Sequence, residues 1–228
     1  MVNLISNSPE EMIINDQLLE VEIKRILGNN GNRNGKKGKK FAVLLCAEDS
    51  EYVKKKYGGY FGVFVRMLGE EGESWDVFKV AQNEFPTEEE IENYDGFVIT
   101  GSCSDAHSNH LWICRLLNLL ITLDSLKKKV LGICFGHQVL ELPPKVEVIG
   151  RSNKTSIEMF KYGDHMMGIQ GHPEYNKDIL LHLIDRLLQR KLITEAYANE
   201  MRVKFMESHD PDKEAWRKLC VNFLKGRL

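Results

Sequence analysis

Four short, nearly continuous apolar runs constrain this chain more than any other feature. FAVLLCA begins at Phe41, WDVFKV spans Trp75 to Val80, GFVIT spans Gly96 to Thr100, and KKVLGIC ends at Cys134. FAVLLCA, nearly continuous and apolar, is expected of a strand buried on both faces of a parallel sheet; WDVFKV and GFVIT are the next strands, and KKVLGIC is another buried one. Helical spacing fills the gaps between them. Tyr60 to Leu68 is predicted as a helix closed near Gly69 and Gly72, and Phe85 to Asp95 as a loop and one helical turn capped by Thr87. Asn109 to Leu126 carries apolar residues at 112, 113, 116, 117, 120 and 123, a single helical stripe. Strand and helix alternate, the βαβ signature of an open parallel sheet.

The pattern changes after Leu140. Lys145 to Ile149 is predicted as a strand, and Ser156 to Gln170, turning at Gly163-Asp164, as a β-hairpin. Ile179 to Leu188 and Thr194 to Met206 are expected as helices. Asp210-Pro211 offers a cap and a first-turn proline for a last helix running to about Leu224. Residues 1–39 read as an appended segment. Within it, Glu11 to Leu27 is a candidate helix, and Gly28 to Lys40 is an Asn/Gly/Lys-rich tether. Its lysines are those of a solvated linker or of a localisation or binding signal.

Composition excludes several function classes. The formal net charge is −2, so no basic footprint for nucleic acid or for an anionic membrane is expected. No apolar run approaches the roughly 20 residues that span a bilayer. The stretch MVNLISNSPEEMIIND lacks a basic region followed by an apolar one, so no secretory leader is expected there. The cysteines (Cys46, Cys103, Cys114, Cys134 and Cys220) are odd in number, irregular in spacing and free of CxxC. That argues against a disulfide framework or zinc ribbon and for a reducing compartment, most simply the cytosol. Cys46, Cys114 and Cys220 sit in apolar patterns and are expected in the core. His107 and His110 have metal-like spacing but no third ligand, so a solvated helix start is expected and no metal.

Three short stretches carry chemistry. Gly132-Ile133-Cys134-Phe135-Gly136 follows an apolar strand and precedes a helical segment, which is a nucleophile elbow with cysteine in the nucleophile slot. The helix start favours thiolate, and the backbone N–H of Phe135 would face a forming oxyanion. By itself the run is equally a buried cysteine in a glycine-rich turn. Gly171-His172-Pro173-Glu174 also follows an apolar strand. There a histidine can move a proton, and a carboxylate two residues on can fix its tautomer. Gly101-Ser102-Cys103-Ser104-Asp105 follows GFVIT. Its N–H groups can complete an oxyanion hole, and Asp105 is a candidate cap for the next helix. A plain strand-to-helix loop reads the same residues as well.

Together the three resemble a known family. Leu131-Gly132-Ile133-Cys134-Phe135-Gly136-His137-Gln138 resembles the nucleophile signature of class I glutamine amidotransferases, and Gln170-Gly171-His172-Pro173-Glu174 their His/Glu signature. Further stretches are similar to plant gamma-glutamyl peptidases: Lys56 to Tyr60, Tyr94 to Phe97, His172 to Leu180, and Asn222 to Arg227. The resemblance runs from about Phe41 to Leu228. It implies an α/β fold, a three-layer open, mostly parallel sheet with flanking helices of the glutamine amidotransferase-like or flavodoxin-like kind. It implies Cys134 as nucleophile, His172 as base and Glu174 as orienter, with Gly101, Ser102, Phe135 and Gln138 at the oxyanion or substrate. It implies a small gamma-glutamyl substrate such as a glutathione conjugate, in glucosinolate-type sulfur metabolism, with no cofactor. Oligomeric state is left open.

One departure stands out. Cys134 to His172 is 38 positions (172 − 134), where the family places several dozen more. Pro143 and Pro144 are expected to stop the nucleophile helix after about two turns. A block is therefore expected to be missing near 140/141, within a domain of residues 40–228. Loss of a layer segment and a pocket wall would bare apolar surface, at about 25 cal/mol/Å². A non-catalytic truncated isoform or pseudoenzyme is the alternative reading, and a glutaminase partner of a synthase a further one.

Overall fold

The computed structural model describes residues 38–140, 146–153 and 155–228. The expected N-terminal helix, most of the tether, and Pro143 and Pro144 lie outside the described residues. Seven strands form one sheet: β1 (Lys40–Leu44), β2 (Ser74–Phe78), β3 (Gly96–Ile99), β4 (Lys129–Ile133), β5 (Glu147–Gly150), β6 (Met159–Tyr162) and β7 (Met166–Ile169). Their order is β2-β1-β3-β4-β7-β6-β5. The first five in that order run parallel, and the β5–β6–β7 edge is antiparallel. Strands β1 to β4 are those read from the apolar runs, and β6 and β7 form the expected hairpin, with β7 also pairing parallel to β4.

Each parallel strand sends alternate residues to opposite layers. Ala42, Leu44, Phe97, Ile99 and Val130 pack under α4 (Leu111–Ser125) and α5 (Phe135–Val139). On the other face, Phe41, Val43, Val98, Leu131 and Ile133 pack against α2 (Gly59–Leu68) and α8 (Lys213–Leu224). Strands β1, β3 and β4 are apolar because both of their faces are covered, whereas the edge strand β2 buries only Trp75. Phe41, Phe64, Phe97 and Phe223 are fully buried, each stabilising the fold by roughly 1.5–3 kcal/mol relative to exposure.

Several local expectations change. The Tyr60–Leu68 helix is preceded by another, α1 (Glu51–Tyr57), which Ser50 caps. Thr87 and Glu90 form a capping box on α3 (Glu88–Glu92), as the cap prediction anticipated. Asp105 does not cap α4. It closes a local turn by accepting from the His107 N–H at 3.0 Å, and α4 starts six residues later. Cys114 is exposed rather than in the core, because α4 buries Ile113, Leu116, Leu120 and Leu123 and position 114 faces solvent. The last helix is capped by Asp212, and Asp210 pairs instead with Lys177 at 3.2 Å. Lys177 opens α6 (Lys177–Gln189), which is followed by α7 (Glu195–Glu207).

Candidate active site

Strand register brings three loops level. Ile99 of β3 stands beside Gly132 of β4, and Ile133 of β4 beside Ile169 of β7. The residues just past these carboxyl ends are therefore neighbours, at the edge where open α/β sheets bind ligands. The Cys134 N–H donates to the Ile169 carbonyl at 2.8 Å, tying the nucleophile's backbone to the strand that leads to His172.

Cys134 has φ 54° and ψ −102°, a strained conformation for a residue with a side chain. Packing on either side enforces it. A Cβ at Gly132 would lie 2.4 Å from the Gly136 carbonyl oxygen, and one at Gly136 would lie 2.5 Å from the Ile99 carbonyl oxygen. The turn can close only with glycine at both positions. Phe135 is then the first residue of α5, so its N–H has no acceptor within the helix. Its side chain is fully buried against Trp112, with ring centroids 5.4 Å apart. Helix α5 is five residues long and ends at Val139, with Leu140 as its C-cap.

His172 is held on three sides. Its Nδ1 lies 2.7 Å from Oε1 of Glu174, whose side chain is 1% exposed. Its ring stacks on Tyr175 with centroids 4.1 Å apart and planes 5° from parallel. On the remaining side is Gly101, where a Cβ would come within 2.7 Å of the histidine Cε1. Burial disfavours the imidazolium, but hydrogen bonds and charge from Cys134 and Glu174 outweigh it and push the pKa up to about 9. At neutral pH His172 thus holds a proton beside the Cys134 sulfur.

Among the sequence-predicted residues, Cys134, His172, Glu174, Gly101 and the Phe135 backbone come together. The Ser102 hydroxyl is used locally, accepting from the Ser104 N–H at 3.1 Å. Gln138 lies on the exposed side of α5 and donates through Nε2 to Gln170 Oε1 at 3.2 Å. His137 is only three residues from Cys134, yet it is buried and packs on Phe160, with centroids 4.9 Å apart. Burial raises the thiol pKa of Cys46 and of Cys220 to about 12, which separates them from any nucleophilic role.

Sequence reasoning assigned no role to three supports. Tyr175 is the stacking platform. Gln170 reaches the Cys134 sulfur, Nε2 to Sγ 3.6 Å. Asp178 accepts from the Tyr57 hydroxyl at 2.6 Å, from the Tyr52 hydroxyl at 2.7 Å and from Lys56 at 2.7 Å, clamping α1 onto the start of α6. All three follow the His172 strand or loop in the chain, and that proximity was the available signal.

No family model matches this chain. Individual relatives do. Gamma-glutamyl peptidase 5 of Arabidopsis thaliana is 41% identical over 243 positions, covering 83% of this chain and 96% of that protein. The chain belongs to the gamma-glutamyl peptidase family. Gamma-glutamyl peptidase 3 of the same plant is also 41% identical, covering 82% of this chain and 97% of that protein. Solved glutamine amidotransferases share this chain's fold. One from Thermotoga maritima superposes with TM-score 0.58 at 16% identity, covering 84% of this chain and 100% of that one. One from Methylobacillus flagellatus has TM-score 0.56 at 16% identity, covering 85% and 94%. In the alignment with gamma-glutamyl peptidase 5, 83% of 228 residues is about 189. About 54 of its positions (243 − 189) therefore face no residue of this peptidase-family chain.

Proposed function

We propose that this chain is a cysteine hydrolase of gamma-glutamyl amide bonds, with Cys134 as nucleophile, His172 as proton carrier and Glu174 as its orienter. The observation that carries the reading is the convergence of these three residues with Gly101 from loops at adjacent strand ends. Cys134 Sγ attacks the amide carbonyl carbon. The oxyanion forms against the Phe135 N–H and the backbone of the Gly101–Ser102 loop. His172 gives its proton to the leaving nitrogen as the C–N bond breaks, leaving a gamma-glutamyl thioester on Cys134. Water then gives a proton to His172 and attacks the thioester, and glutamate leaves with the Cys134 thiolate and the His172 imidazolium restored. The relatives' names support a gamma-glutamyl substrate. Within that class the reading takes a glutathione conjugate, as in glucosinolate-type sulfur metabolism in the cytosol. Residues 40–228 form the hydrolase domain in this reading, with residues 1–39 an appendage. The test is glutamate release from an S-substituted glutathione by the full chain, absent in Cys134→Ala.

A second reading is favoured by one observation, the relative's positions that face no residue here. Placed at Leu140–Glu141, the missing block would remove part of the pocket wall and leave a non-catalytic chain of the same fold. Sequencing transcripts across that junction, with rates of thiol labelling at Cys134 against buried Cys46, separates the two.

A further inference from the structure

We infer that Gln170 is a second hydrogen-bond donor to the Cys134 sulfur, locked in the donating orientation by Gln138. The inference rests on the reading of Cys134 as nucleophile. It goes beyond that reading by placing, on this sulfur, a neutral group outside the Cys-His-Glu set.

Gln170 is the first residue past β7, and Gln138 is on α5 beside it. Two contacts define a chain: Gln138 Nε2 to Gln170 Oε1 at 3.2 Å, and Gln170 Nε2 to Cys134 Sγ at 3.6 Å. A primary amide has one acceptor end and one donor end. With its oxygen engaged by the Gln138 amide, Gln170 turns its N–H bonds to the sulfur. Donation into the oxygen also polarises the amide and strengthens its N–H as a donor. The Gln170 N–H groups stabilise the thiolate over the thiol, because a bond to an ion is stronger than one to a neutral group.

Other charged or titratable groups act on the same sulfur. Cys134 and Glu174 both raise the His172 pKa, Glu174 stands behind His172, and Tyr175 stacks on that histidine. His172 sets the charge balance of the pair and is itself a proton carrier in the reaction. Gln170 does not titrate. It therefore donates in either protonation state of His172, both when Cys134 attacks as thiolate and when the thiolate leaves the tetrahedral carbon in deacylation.

The experiment is the pH dependence of iodoacetamide alkylation in the full chain, read cysteine by cysteine by peptide mass spectrometry. Exposed Cys103 and Cys114 act as internal references. Gln170→Leu is expected to move the Cys134 midpoint up by about one pH unit relative to the parent, the scale of one charged hydrogen bond. Gln170→Glu places a carboxylate there, and its midpoint is expected to rise further. Gln138→Leu frees the amide to turn and is expected to give a smaller rise. The Cys103 and Cys114 profiles are expected to stay put, with circular dichroism unchanged.

An unmoved Cys134 midpoint in all three variants overturns the inference. So does a downward shift in Gln170→Leu, which would mean that the thiol donates to the amide oxygen instead. If Cys134 of the parent reacts no faster than a buried thiol, the nucleophile assignment falls and takes this inference with it. If the midpoints shift as expected but no gamma-glutamyl substrate is cleaved, Gln170 stands and the proposed function falls.

Discussion

The Nδ1 of His172 sits 2.7 Å from Oε1 of Glu174, and the carboxylate it faces is almost wholly sealed from solvent. That one contact engages Nδ1 and fixes the orientation of the ring. Glu174→Gln keeps the shape and removes the charge. Gamma-glutamyl hydrolysis is expected to fall about 10²–10⁴-fold, the range for a disabled acid–base histidine. Its alkaline limb is expected to move below the parent's, because one of the partners that raise His172 to about 9 is lost. A pH profile of kcat/KM for both proteins checks both points.

The same histidine sets a pH dependence of stability. Its folded pKa is about 9, above the ordinary 6.5, so the folded chain holds the proton more tightly than the unfolded chain. The stabilisation is full below about pH 6.5 and is lost as pH rises through about 9. At about 1.4 kcal/mol per unit it is bounded near 3 kcal/mol. Thermal unfolding of the parent and of His172→Gln from pH 6 to 10 is expected to show the parent's advantage shrinking across that window.

Gly101 has no room for a methyl group, since a Cβ there meets the His172 ring at 2.7 Å. Gly101→Ala is expected to displace the imidazole. The cost in stability is about 1–3 kcal/mol, as for overpacking elsewhere, while turnover falls at least tenfold. Unfolding midpoints and steady-state rates measured on one preparation separate the two effects.

Away from the site, Lys225 is fully buried, with Nζ 2.5 Å from Glu73 Oε1 and 3.3 Å from Glu70 Oε2. Lys225→Met strands the Glu73 carboxylate and is expected to cost about 3–5 kcal/mol. Arg227 pairs with the same Glu70 from a half-exposed position. Arg227→Ala is expected to cost at most about 1 kcal/mol. Urea unfolding of the two variants gives the contrast.

What was legible in the sequence follows from what each residue answers to. Strands β1, β3 and β4 were readable because both of their faces are buried, leaving nearly unbroken apolar runs. The elbow was readable because the backbone at Cys134 tolerates only glycine at 132 and 136. Helix α1 was not. It buries only Val53 and Tyr57, too few for an apolar stripe, and it is held by the Ser50 cap and the clamp at Asp178. Cys114 was misplaced because an apolar neighbourhood in sequence does not say which side of α4 a residue faces. Gln170 carried only its place just past the His172 strand as a signal, since its contact with Cys134 exists only when β4 and β7 lie side by side.

The most direct measurement is intact-protein mass spectrometry of the full chain, acid-quenched during incubation with an S-substituted glutathione, with Cys134→Ala alongside. The expected result is free glutamate together with one glutamyl adduct, mapped by peptide analysis to Cys134 and absent from the variant. A chain whose Cys134 alkylates readily, yet which forms no adduct and releases no glutamate, would contradict the assignment of this site to gamma-glutamyl cleavage.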